Sequence, residues 1–128
     1  MINRINRFHG RASIQRLYKT SKMVRSASLS LRYVSNPRRR QYRLAVVVSR
    51  KVSKSAVVRN RIRRRLYESV RILSNTLSEP FDLLLVVYDD SLKDKPTEEL
   101  QRDVVKLLKK AKLTTPANPG HAIVEPKK

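Results

Sequence analysis

Five of the seven residues from Arg59 to Arg65 are arginine, within a stretch that runs Lys-Val-Ser-Lys-Ser-Ala-Val-Val-Arg-Asn-Arg-Ile-Arg-Arg-Arg-Leu-Tyr-Glu from Lys51 to Glu68. Guanidinium groups make charge-assisted hydrogen bonds to phosphate oxygens, often two at a time. Crowded like this they also repel one another, and Glu68 is the nearby acid that offsets them, by pairing back to Arg64 or Arg65. Folding stability alone would not choose such a row. A polyanion that neutralises it explains it better than a merely solvated helix face does, and nucleic acid is the polyanion it points to. Asn60 is the uncharged member: its amide suits RNA sugar or base edges, or equally a neighbouring backbone carbonyl.

Other chemistry is hard to assemble from these residues. The chain has no cysteine, and its two glycines form no phosphate-cradling loop. His9 in the basic N-terminus and His121 near the other end have no partner in view and make no credible general base. Asp89, Asp90 and Asp94 follow an apolar run with no His or Glu at ligand spacing, and read as turn formers before metal ligands. The expectation is a chain that binds and does not itself cut, with no metal site and no small-molecule substrate.

The arginines need an element to carry them, and the apolar spacing supplies it. Val58, Ile62, Leu66, Val70 and Leu73 recur at three- and four-residue steps, the period of an amphipathic helix. With Ile62 at zero on a wheel of about 100° per residue, Val58, Leu66 and Leu73 form the core stripe. Arg59, Arg63 and Tyr67 climb one flank as a cationic ridge, with Asn60, Arg64 and Arg71 beyond. Ser53 or Ser55 can cap the helix before Ala56, and the helix is expected to run to about Leu77. Arg50, Lys51 and Lys54 stand just ahead of its N-terminus, where backbone N–H groups already attract phosphate.

The flanking segments read as a sheet and two further helices. Ser13 can cap a short helix over Ile14–Ser21. Val24–Val34 alternates as one strand, with Leu29, Leu31 and Tyr33 packed and Ser28, Ser30 and Arg32 on the opposite face, open to water or to a single-stranded backbone. Asn36-Pro37 and the following arginines form a turn and loop. Tyr42–Ser49 and Phe81–Tyr88 are apolar enough to be buried strands, the first in the sheet centre, making a β-α-β unit around the arginine helix. Pro96, Glu98 and Glu99 open a last helix that ends among lysines, in keeping with the helix dipole. The fold class expected is α+β, a small α/β sandwich of order about α-β-β-(β)-α-β-α with a mixed sheet packed by helices. Residues 1–113 form the domain, and the proline-containing segment 114–128 is a disordered tail.

Thirty Lys and Arg against ten Asp and Glu leave a formal charge of +20 on 128 residues, one modest domain with a strong attraction to polyanions. No apolar run is long enough for a membrane span, and without cysteine a cytoplasmic location is the simpler reading. With no tryptophan, any base stacking falls on Phe8, Tyr18, Tyr33, Tyr42, Tyr67, Phe81 or Tyr88.

Ser49-Arg50-Lys51, followed by Ala56-Val57-Val58-Arg59-Asn60-Arg61-Ile62-Arg63-Arg64 and Glu68, closely resembles the signature of the bacterial ribonuclease P protein family. Ile14-Gln15-Arg16-Leu17-Tyr18-Lys19 resembles the family's first helix and Ser30-Leu31-Arg32-Tyr33-Val34 an early strand, so the likeness spans about residues 1–113. It also places the basic, acid-free start of the chain in the mature protein rather than in a transit peptide. The resemblance implies a ribosomal-protein-like fold with a left-handed β-α-β crossover, and a ribonucleoprotein endonuclease whose RNA subunit carries the active site and Mg²⁺. Its implied partners are that RNA and precursor tRNA. By carry-over, Arg50, Lys51, Lys54, Arg59, Asn60, Arg61, Arg63, Arg64 and Arg65 face the RNA subunit, while Ile14, Tyr18, Arg32 and Ser49 line a cleft for the 5′ leader. A ribosomal or ribosome-assembly protein of similar architecture is the alternative; an architectural DNA binder has no groove-reading or dimerisation signature here.

Overall fold

A computed structural model describes residues 11–114 apart from 37, 39, 40 and 79. The readings of Phe8, His9, His121 and nearly all of the tail lie outside these residues. The elements are α1 (Arg11–Thr20), β1 (Lys22–Arg25), β2 (Leu29–Ser35), β3 (Arg43–Val47), α2 (Ala56–Leu73), β4 (Phe81–Val87) and α3 (Thr97–Lys110). The fold is α+β, with a four-stranded mixed sheet in the order β1-β2-β4-β3. β2 lies antiparallel to both β1 and β4, and β3 runs parallel to β4 through the α2 crossover.

Period-two alternation sends each strand's residues to two different environments. Leu29 and Leu31 of β2, Leu44 and Val46 of β3, and Leu83, Leu85 and Val87 of β4 are buried in one core with Ile62, Leu66 and Val70 of α2 and Leu100, Val104, Leu107 and Leu108 of α3. The opposite face carries a smaller cluster, in which Leu17 of α1 packs with Ala45 and Leu84 and with the partly buried Ile14, Val34, Val47 and Val86. Among the described residues, two helices therefore cover one face, and α1 covers only part of the other.

Three expectations are corrected. Val24–Val34 is not one strand: Ser26 donates its backbone N–H to Leu29 O at 2.8 Å and the chain turns back, so that Val24 pairs with Leu31. Tyr42–Ser49 is not central. β3 is one of the sheet's two edge strands, and its apolar run reflects cover from α2 on one face and the Leu17 cluster on the other. Finally, α2 ends at Leu73 and passes into a 3₁₀ turn over Ser74–Thr76, where the Ser74 and Thr76 hydroxyls donate to the Arg71 and Leu73 carbonyls. Such local side-chain bonds compete with helix continuation.

Candidate nucleic-acid interface

The β3–α2 connection is folded onto the helix start. Ser55 is the N-cap, its side chain accepting from Val58 N–H at 3.3 Å, and Ser53 Oγ accepts from Ser55 N–H at 3.2 Å. Arg59 reaches back and donates from Nη1 to Ser53 O at 2.9 Å. Arg50, Lys51, Lys54, Ala56 and Arg59 then line an open, cationic hollow of about 650 Å³ at the helix N-terminus. Three side chains expected at one interface are thus brought together with Arg59, next to a helix N-terminus, the end of a helix that favours anions.

The arginine row itself is divided. Arg61 and Arg65 sit on the opposite side of Ile62 from Arg59 and Arg63, at about −100° and −60° on the wheel. Arg61 donates from Nε to Lys93 O at 2.7 Å, and Arg65 donates from Nη1 to Leu92 O at 2.6 Å and from Nη2 to Lys95 O. Burial, then the neighbouring Arg61 charge, push the Arg65 pKa below its ordinary value. These two guanidiniums hold the segment after β4 against α2. Arg63 and Arg64 remain on the outer surface with Asn60, whose side-chain oxygen accepts from Arg63 Nη2. Asn60 thus orients an arginine, a third role beside the two its amide suggested.

Two further expectations on this helix are overturned. Tyr67 is not part of the ridge but is 8% exposed within the main core, where the helix sits deeper than its aliphatic stripe alone suggests. Glu68 pairs forward rather than back, accepting from Arg71 Nε at 2.9 Å and Nη2 at 2.5 Å. That fork holds its pKa at about 2.

The half-open sheet face is the second component. Tyr18 is 42% exposed, and the Arg32 guanidinium carbon lies 4.5 Å from its ring centroid. Ile14 packs at the edge of the Leu17 cluster. A second pair matches the first: Arg25 lies 4.3 Å over the ring of Tyr88, itself 41% exposed, and Tyr88 Oη donates to Ser30 Oγ at 3.0 Å. Tyr42, Tyr67 and Phe81 are buried and Tyr33 packs against the main core, so Tyr18 and Tyr88 are the exposed aromatics among the described residues. In the sequence Tyr88 is only one of seven candidate rings, and nothing singles out Arg25. Register is the signal that finds them, since Arg25 pairs with Ser30 across the hairpin. Because β3 and β4 are parallel and Val47 pairs with Val86, exposed Ser49 leaves the sheet at the same end as Tyr88 and leads into the Arg50–Lys54 loop.

The acids serve structure. Asp89 caps the turn after β4, accepting from Ser91 N–H at 2.8 Å and from Ser28 Oγ at 2.9 Å, and these bonds, those from Ser91 foremost, lower its pKa. Asp90 pairs with Lys93 at 3.5 Å. Among the described residues no cluster of three His, Cys, Asp or Glu side chains is placed to hold a metal, and no helix is long and apolar enough to cross a membrane.

A small α+β protein with a cationic helix start beside a half-open sheet is the class that fold and surface define. A family profile described as "Ribonuclease P" matches residues 2–112. A "Ribonuclease P protein component" of Chloroflexus aggregans is 36% identical over 126 residues, 98% of this chain and 92% of that protein. The Staphylococcus aureus RNase P protein superimposes with a TM-score of 0.75 at 26% identity, covering 86% of this chain and 98% of the other. The RNase P protein from Thermotoga maritima shares the fold, with a TM-score of 0.72 at 20% identity over 81% of this chain and 96% of its own. The chain belongs to the ribonuclease P protein family, the protein components of that endoribonuclease.

Proposed function

We propose that this chain binds the catalytic RNA of a ribonuclease P and the 5′ leader of precursor tRNA, assisting removal of the leader. The observation that carries the reading is the pair of arginine-stacked tyrosines on the open sheet face, at whose end the chain enters the cationic loop. Single-stranded RNA is bound by stacking its bases on aromatic or guanidinium planes while cations follow its phosphates. Tyr18 with Arg32 and Tyr88 with Arg25 offer the first, and exposed Ser49 lies at the end of the same face. Arg50, Lys51, Lys54, Arg59, Arg63 and Arg64, with Asn60 aligning Arg63, offer the second and dock the folded RNA. Arg61 and Arg65 support this surface through their backbone clamps. Hydrolysis and its Mg²⁺ belong to the RNA subunit and substrate; this chain positions the strand.

Reconstitution with the cognate RNA and precursor tRNA at low Mg²⁺ tests the reading. The double variant Arg59→Ala/Arg63→Ala is expected to lose affinity for the RNA subunit. Tyr18→Ala is expected to weaken leader-bearing precursor about tenfold while leaving mature tRNA unchanged, since one base stack is worth about 1–3 kcal/mol. Equal loss for precursor and mature tRNA would reject the cleft.

A further inference from the structure

The outward side of α3 carries a cationic stripe that none of the contacts above uses. With Leu100 at zero on a wheel of about 100° per residue, the buried Val104, Leu107, Leu108 and Ala111 fall between about −20° and 80°. Exposed Arg102, Lys106, Lys109 and Lys110 fall between about 180° and 280° and run for about 12 Å along the helix. The helix dipole accounts for cations in the last turn, Lys109 and Lys110, but not for Arg102 and Lys106 before it. Acids offset little of this charge. Glu98 and Glu99 stand in the first turn, Asp103 is taken by Lys95 at 2.5 Å, and the next acid along the chain is Glu125.

The stripe lies beside the sheet edge opposite the Arg50–Lys54 loop. β1 is the edge strand on its side and β3, which leads into the loop, is the other, about 14 Å away across three strand spacings. α3 packs on β1, and Lys110 Nζ donates to Arg25 O at 3.1 Å. Arg25 thus joins two surfaces: its carbonyl holds the α3 lysine while its guanidinium lies over Tyr88 on the open face. Arg32, stacked on Tyr18, pairs in register with exposed Met23 of the same strand. RNA that leaves either stack on the side away from β3 therefore meets β1 and then the α3 stripe.

We propose that this stripe binds the phosphate backbone of a double-helical segment lying upstream of the single-stranded leader in the same precursor RNA. The proposal rests on the leader-binding reading above and goes beyond it, from the leader to folded RNA that precedes it. The stripe's chemistry selects a helix over a strand. Tyr18 and Tyr88, the exposed aromatics among the described residues, lie on the sheet face, so the stripe offers no ring on which a base can stack. Lysine meets phosphate as a point charge without reading bases, and double-helical RNA is recognised by its shape and backbone. The consequence is a preference, independent of sequence, for long precursors in which another folded RNA stands ahead of the leader.

The test uses the holoenzyme reconstituted with its cognate RNA and three precursors. One has a short single-stranded leader, one a long unpaired leader, and one the short leader preceded by a hairpin. The wild type is expected to bind the hairpin-bearing precursor about tenfold more tightly than the short-leader one, with a salt slope steeper by about one for each phosphate held. The RNA subunit alone and the long unpaired leader are expected to give no such gain. Arg102→Gln/Lys106→Gln/Lys109→Gln leaves the Lys110 bond to Arg25 in place. This variant is expected to lose the gain while keeping the wild-type melting temperature, RNA-subunit affinity and short-leader affinity. A wild type without the gain, a variant that retains it, or an equal gain from the unpaired leader or from the RNA subunit alone would overturn the proposal and leave the leader cleft standing. A fall in the variant's affinity for the RNA subunit would overturn it too, by assigning the stripe to that RNA. Failure of the wild type to prefer the short-leader precursor over mature tRNA would instead overturn the leader reading, and this proposal with it.

Discussion

Individual arginines one position apart in this row have different tasks, because each meets a different neighbour. Arg65 satisfies two backbone carbonyls of the segment after β4, whereas Arg64 is exposed and has no such anchor among the described residues. Arg65→Ala is expected to lower stability by about 1–2 kcal/mol in urea denaturation, since it strips partners from part-buried groups. Arg64→Ala is expected to stay within about 0.5 kcal/mol of wild type while weakening RNA affinity. Similar stability losses in the two variants would contradict the division. The Glu68–Arg71 fork adds a pH signature. Because the folded pKa of about 2 lies below the ordinary 4.5, its contribution is complete above pH 4.5 and is lost as pH falls toward 2. Both side chains are largely exposed, so the effect on stability is small. NMR titration should place the Glu68 midpoint near 2, and Arg71→Ala should return it toward 4.5.

Among the elements, α2 reconciles two demands through its cap and its depth in the core. Ser55 answers one orphan N–H while leaving the helix start open to anions, and Ile62, Leu66 and Tyr67 hold it so that the Arg59 and Arg63 flank stays outward. α3 ends differently. Lys112 has φ 60°, Leu113 N–H donates to Leu108 O at 3.0 Å and Lys112 N–H to Lys109 O at 3.0 Å, with Leu108 and Leu113 sharing the core. This is a Schellman stop built without glycine, and the left-handed turn costs a Cβ-bearing residue about 1 kcal/mol. Lys112→Gly is therefore expected to raise the melting temperature by several degrees for a domain of this size. A lowered value would show that the Lys112 side chain stabilises the turn. The helix, its serine cap and the apolar strands were legible in the chain because they repeat at periods set by backbone geometry. The β1–β2 hairpin was not, since its turn, Ser-Ala-Ser, has no glycine, proline or asparagine to mark it.

For the molecule as a whole, a charge of +20 governs how it meets RNA. Affinity for the RNA subunit is expected to fall steeply and log-linearly with salt, and Arg59→Ala/Arg63→Ala to flatten the slope by about one for each phosphate left without its guanidinium. An unchanged slope would place those two guanidiniums away from phosphate. The charge is not spread evenly: one sheet face is sealed beneath α2 and α3, and the other is left half open beside the loop that gathers Arg50, Lys51 and Lys54.

The sequence by itself determined that an arginine-bearing helix exists, that it lies between two apolar strands, and that it resembles the ribonuclease P protein signature. Each of these depends on residue type and short-range spacing. Only the tertiary structure decided that Arg61 and Arg65 clamp a segment roughly thirty residues further on, that β3 is an edge strand, that Tyr67 is buried, and that Arg25 lies over Tyr88. Those outcomes depend on which distant backbone arrives beside each side chain. Strand register and helix rotation set that placement, and no local period records them.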